Sequence, residues 1–202
     1  MRSGKEANRR SVFLNVPFDP TYEPLFIALI SVLVALGRVP RSVLEAPERG
    51  DGRLVRILNL IRSCPVSIHD LSRVELPARF NMPFELGIAF ALSRIERRHK
   101  FILLEAKRHR LQQTLSDVNG IDPGIHGATI KGVISCALDR LGKPYGNPDL
   151  KTVARIHRQL WKITSSLKRT HGRTNIYSRS IFGELVAGAN RLARKEGLIS
   201  LD

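Results

Sequence analysis

The 202-residue chain has only two cysteines, Cys64 and Cys136, too few for a disulfide scaffold. No Cys/His cluster has zinc spacing. No apolar run reaches the roughly 18 residues of a membrane span, so no membrane association is expected. The longest run, Pro24 to Gly37, is broken by Ser31 and reads as a buried helix. Residues 1–10 are polar and basic and do not read as a secretory leader, so a reducing cytoplasm is the expected compartment. No strand is followed by Gly-x-Gly-x-x-Gly, which removes the dinucleotide fingerprint. A Walker A loop and a Gly-x-Ser-x-Gly elbow are also missing.

What the chain has in excess is positive charge. The formal net charge is +15, and its distribution is uneven. Residues 1–10 contribute +3 and residues 145–202 contribute +7. A basic excess at the two ends favours an acidic partner, either nucleic acid or an acidic protein surface. A solvated basic helix face is the plainer explanation. Self-association stays open.

Strand and helix signals alternate between residues 11 and 141. Ser11–Val16, Val39–Leu44, Pro65–His69 and Lys100–Leu104 read as strands. Tyr22–Gly37, 52–63, Pro83–Arg94, 109–118 and Thr129–Leu141 read as helices, with Thr21 a candidate N-cap and Gly37 a stop. Such alternation predicts an α/β fold: a doubly wound parallel sheet of about five strands, helices on both faces. Gly120–Gly127 reads as a loop and Gly142–Pro148 as a linker. Helices over about 149–168 and 179–196 follow. The organisation expected is a basic tail (1–10), an α/β domain (11–143) and a basic helical C-terminal region (144–202).

Open parallel sheets bind ligands beyond the carboxyl ends of their strands. Asp19, Glu45, Asp70 and Glu105 follow strands and would outline an acidic crevice, although acids also cap turns. His69 and His126 sit at strand-end or loop positions. Glu85 is the sharpest residue, the sole charge between Pro83 and Leu92. Burying an unpaired carboxylate costs several kcal/mol. It is held either structurally, by the helix dipole with Arg73 or Arg79, or chemically, to stabilise or attack an oxocarbenium-like centre. Lys151, Arg155, Arg158 and Lys162 recur at three- and four-residue spacings and line one helix face.

The segment His69-Asp-Leu-Ser-Arg73, followed by Arg79-Phe-Asn-Met-Pro-Phe-Glu-Leu-Gly-Ile-Ala-Phe-Ala-Leu92, resembles a stretch of bacterial TIR-like and nucleoside 2-deoxyribosyltransferase-like proteins. The opening Val12-Phe-Leu-Asn-Val-Pro-Phe-Asp19 resembles their first-strand loop. The chain also resembles a bacterial group with VFINCPFD, HDISR and RFNMPFELG motifs, over about residues 11–141. The resemblance implies a flavodoxin-like sheet and a catalytic Glu85 in a Glu-Leu-Gly setting, acting at the anomeric carbon of NAD or a nucleoside. It further implies Asn81 as the opening Asn of the motif, with Asp70 and Ser72 as the strand-end acid and its neighbour. Phe18 would stack on the base, and Asp19 and Asp70 would hold ribose hydroxyls.

Three functions compete. The first is N-glycosidic cleavage of NAD or a related nucleotide, with no metal or cofactor required, in a bacterial defence or stress effector. The second is a non-catalytic nucleotide sensor or adaptor whose basic C-terminus contacts nucleic acid or a partner protein. The third is a Mg²⁺-dependent receiver-like domain using Asp19 and Asp70. It is disfavoured by Phe18 where a second acid is needed and by Lys107 lying past the fourth strand.

Overall fold

A helix that is apolar on every side has to be covered on every side. Glu23–Ala35 (α1) is such a helix, and all but Pro24 of its residues are buried. The computed structural model describes residues 9–45, 52–73, 81–96, 99–115, 117, 120–142 and 147–199. Of the sequence expectations, most of the basic tail, the residues 48–51, Arg79 with most of its loop, and residues 143–146 of the linker lie outside them.

Five parallel strands form one sheet in the order β2-β1-β3-β4-β5. They are β1 (Ser11–Asn15), β2 (Val39–Arg41), β3 (Val66–Asp70), β4 (Lys100–Glu105) and β5 (Gly124–Ile125). This is the flavodoxin-like order, with its switch point between β1 and β3. Val12 and Leu14 face α1, whereas Phe13 faces the opposite side, as a two-residue period requires. Every residue of β1 and β3 is buried, which suits central strands covered on both faces. β2 is an edge strand, where Pro40 is tolerated.

The remaining helices are α2 (Arg53–Ser63), α3 (Asn81–Ile95), α4 (Arg110–Thr114), α5 (Ile130–Leu141), α6 (Leu150–Thr170) and α7 (Arg179–Lys195). α2 and α3 pack on the Phe13 face through Ile57, Leu60, Ile61 and Ala89. α1 and α5 cover the other face, and α6 and α7 lie on α1. Val153, Ile156, Leu160, Ile181 and Leu185 therefore belong to the same apolar core as Val12 and Phe26. The basic C-terminal helices thus form the outer cover of α1.

Several local devices hold this arrangement. α1 ends in a Schellman motif: Gly37 N–H donates to Val34 O at 2.9 Å, and Arg38 N–H to Leu33 O at 2.8 Å. Gly37 has φ +68°, which glycine accepts readily. Glu23, at the head of α1, accepts from Lys168 Nζ at 2.6 Å and from the Ile176 N–H at 3.1 Å. His157 Nε2 donates to Pro24 O at 3.1 Å. Both contacts tie the C-terminal segment to the start of α1.

Candidate functional site at the carboxyl edge of the sheet

Four carboxylates expected to outline an acidic crevice are engaged within the fold. Asp19, not Thr21, caps the turn Pro20–Tyr22. Its Oδ1 accepts from the N–H groups of Thr21 at 3.1 Å and Tyr22 at 3.2 Å and from the Thr21 hydroxyl at 2.5 Å. Its Oδ2 lies 3.0 Å from Arg73 Nε. Burial alone would raise this carboxyl, but the Thr21 bond, the Arg73 charge and the Tyr22 N–H outweigh it and hold it below the usual value. Arg73, a candidate partner for Glu85, is paired with Asp19.

Asp70 is 0 % exposed. Its Oδ1 accepts from the Ser72 N–H at 2.9 Å, and its Oδ2 from the Tyr22 hydroxyl. His126 Nε2 lies 3.2 Å from Oδ2. His126 Nδ1 accepts from the Ala128 N–H at 3.1 Å, so in the neutral ring Nε2 carries the proton and faces Asp70. Burial pushes Asp70 up, but His126, Ser72 and Tyr22 outweigh it and leave the carboxyl below its ordinary value. Burial, then the Asp70 charge, pushes the Tyr22 phenol well above 10, so Tyr22 stays a donor. A carboxylate so enclosed has no face left for a ribose; Asp70 is a pin between β3, the Tyr22 turn and the His126 turn.

Glu105 accepts from Ala106 N–H at 2.5 Å and from Arg110, whose guanidinium also reaches Ser72 O at 2.6 Å. Glu45 accepts from Arg41 Nε at 2.9 Å and Ser42 N–H at 2.7 Å. The latter bond turns the chain after Arg41, so β2 stops short of the expected Leu44.

Glu85 differs from these four. It is 5 % exposed, in the second turn of α3, and receives one hydrogen bond, from Asn81 Nδ2 to Oε1 at 3.3 Å. No cation among the described residues lies within ion-pair distance of it. Burial raises its carboxyl above the ordinary value, opposed by Asn81 and by the charge of Arg53. Its Oε2 keeps its acceptor capacity. The head of α3 is fixed to the sheet by Asn15 Nδ2, which donates to Met82 O at 3.3 Å.

The same Asn15 amide group starts a buried chain. It donates to His69 Nδ1 at 3.0 Å, His69 Nε2 donates to Ser67 Oγ at 2.8 Å, and Ser67 donates to His99 Nε2 at 2.8 Å. His99 Nδ1 ends it on Cys64 O at 2.9 Å. Carbonyl oxygens only accept, so Asn15 Nδ2 donates, His69 accepts at Nδ1 and carries its proton on Nε2, and His99 carries a proton on Nδ1. Burial, then the nearby His99, lowers His69 to about 3. Neither His69 nor His126 lines the crevice.

Beside the carboxyl ends of β1 and β2 lies a cleft of about 570 Å³. The apolar Phe18, Val43 and Leu44 line it together with Arg53, Arg56, Arg173, Asn175, Tyr177 and Arg179. Phe18 stacks on Tyr177 with centroids 4.9 Å apart, and Tyr177 donates its hydroxyl to Asp19 O at 2.8 Å. Glu85 is not among the residues lining this cleft; Arg53 connects the two, since its charge acts on Glu85. Ser72 is half-buried and Asn81 exposed. The structure thus gathers Phe18, Asp19, Asp70, Ser72, Asn81 and Glu85 at one edge of the sheet, with Asp70 closed to ligands and Phe18 covered on one face. Residues 173–179 carry part of the cleft, and their basic, turn-rich composition was the available signal.

Lys151, Arg155, Arg158 and Lys162 are all exposed on α6. Lys151, Arg158 and Lys162 flank an apolar groove of about 600 Å³ against α5, together with Lys131 and Trp161, which is 41 % exposed. Arg155 turns to α7 instead, 2.6 Å from Glu196. Among the described residues no helix is long and apolar enough to cross a membrane. In comparisons with known proteins, no family model, no curated protein and no solved structure matches the chain significantly.

Proposed function

We propose that the chain cleaves the N-glycosidic bond of NAD or a related nucleotide at the carboxyl edge of the sheet. One observation carries this reading: among Asp19, Glu45, Asp70, Glu85 and Glu105, only Glu85 is buried with one carboxylate oxygen, Oε2, that no donor among the described residues reaches. An ionised Glu85 would stabilise positive charge as the bond from the anomeric carbon to the base breaks. The electron pair leaves with the base, which departs from NAD as neutral nicotinamide. Water gives its hydroxyl to the anomeric carbon and releases a proton. Ser72 and Asn81 are the polar residues still open to the ribose, and Phe18 with Tyr177 is the aromatic surface for a ring. The test is release of nicotinamide from NAD, or of base from nucleotides, by the purified chain and by its Glu85→Gln variant.

A second reading, a nucleotide sensor without cleavage, is favoured by the α5–α6 groove. Its lysines and Trp161 form a basic, partly apolar face that suits an acidic partner protein or nucleic acid.

A further inference from the structure

The arginine cleft has chemistry that the cleavage reading does not use. Arg53 and Arg56 come from the start of α2, Arg173 from the connection between α6 and α7, and Arg179 from the first position of α7. Four guanidinium groups from two distant segments therefore converge on one concavity. The mutual repulsion of Arg53, Arg173 and Arg179 is unfavourable unless an anion offsets it. Among the described residues, no carboxylate lies within ion-pair distance of Arg53, Arg173 or Arg179. The volume, about 570 Å³, falls in the range of small-ligand sites.

We propose that this cleft binds the diphosphate of a nucleotide, with Arg53, Arg56, Arg173 and Arg179 as its ligands and the Phe18–Tyr177 pair as the wall for the attached ring or sugar. The inference deepens the nucleotide reading by fixing the ligand class as phosphorylated, and it does not require Glu85 to act chemically. Guanidinium groups suit this task because they offer planar paired donors to phosphate oxygens. The wall is rigid: the Tyr177 hydroxyl is held by Asp19 O, and its N–H by the Asn175 side-chain oxygen at 3.0 Å. Asn175 keeps its amide NH₂ for the ligand. Arg53 lines the cleft and its charge also acts on Glu85, so the phosphates and the carboxylate share one cation. The C-terminal segment, besides covering α1, supplies half of the site's cations.

Calorimetric titration with pyrophosphate, ADP, adenosine and a ten-nucleotide single strand tests the assignment. Pyrophosphate and ADP bind, their affinity falls as salt rises, and adenosine binds at least about tenfold more weakly. Arg173→Ala with Arg179→Ala weakens ADP binding by about 100-fold, about tenfold for each charged hydrogen-bonding partner lost. Both side chains are exposed and their removal relieves repulsion, so the melting temperature of the ligand-free variant does not fall. Arg191→Ala on α7, outside the cleft, leaves ADP binding intact. Any of four results overturns the proposal: neither pyrophosphate nor ADP binds, adenosine matches ADP, the double variant binds ADP normally, or the single strand displaces ADP at far lower concentration. Glu85→Gln separates this assignment from the cleavage reading, because ADP binding survives the substitution whereas nicotinamide release does not.

Discussion

Lys168 Nζ lies 2.6 Å from Glu23 Oε2, joining the last turn of α6 to the first residue of α1 across 145 positions of sequence. Glu23 is almost fully enclosed, and its other oxygen holds the Ile176 N–H. Glu23→Ala strips both donors of their acceptor. A loss of about 2–3 kcal/mol is expected in urea unfolding, less than for a wholly buried pair because Lys168 stays partly wet. Removal of residues 147–202 is a harsher version of the same experiment. It uncovers α1, and the shortened chain is expected in the insoluble fraction or binding a hydrophobic dye.

Asp70 is expected to be indispensable for folding rather than for binding. Asp70→Ala leaves the Tyr22 hydroxyl and the Ser72 N–H without their buried acceptor and takes the carboxylate away from His126. About 3–5 kcal/mol should be lost in a denaturant titration. A well-folded Asp70→Ala protein that has lost only ligand affinity would restore Asp70 to the ligand site.

The His69 chain sets an acid limit. Its folded pKa of about 3 lies below the ordinary 6.5, so the unfolded state binds the extra proton first. Stability from this group is complete above pH 6.5 and is lost as pH falls from there toward 3. Asp70, held below its usual value, adds a loss at still lower pH, as its carboxylate protonates. Melting temperature measured between pH 7 and 4 should fall. His69→Gln, if folded, should flatten that slope.

The α5–α6 groove makes a separable prediction. If it grips nucleic-acid phosphates, affinity falls with salt at a log–log slope of about −0.9 for each phosphate neutralised on duplex DNA. Lys151→Ala, Arg158→Ala and Lys162→Ala each reduce that slope, and Arg155→Ala changes it little because its partner is Glu196. Filter binding over a salt series reads both. Equal effects at all four positions contradict the division of the face.

The elements most legible in the sequence are those set by local pattern. The apolar run of α1, its Gly37 stop and the alternation that gives a parallel sheet are all local. β5 was hidden, because two residues inside a Gly/Pro stretch carry no period. It pairs Leu104 with Gly124, where a side chain would meet Leu104 and Arg140 at 2.8 Å. Gly132 is similar: a Cβ there would overlap the His126 carbonyl, so close packing of α5 places the histidine beside Asp70. The partner of Arg73 was not legible either, since Asp19 and Glu85 are equally plausible until the strands are ordered. The docking of α6 and α7 left one clue in the sequence, an α1 with more apolar faces than a sheet can cover.

The most direct test is nicotinamide release from NAD by the wild-type chain and by Glu85→Gln, measured beside a thermal melt. Burial holds the Glu85 carboxyl above its ordinary value, so the reactive carboxylate forms only as pH rises past that raised value. The same charge disfavours the folded state above that pH, and glutamine removes it while keeping an acceptor for Asn81. The account predicts wild-type cleavage that climbs with pH at values above the ordinary glutamate pKa. It predicts a Glu85→Gln protein that melts at the same temperature or higher at neutral pH and releases no nicotinamide. A wild-type chain that releases no base from NAD or any nucleotide, or a Glu85→Gln variant that keeps full cleavage or unfolds, contradicts it.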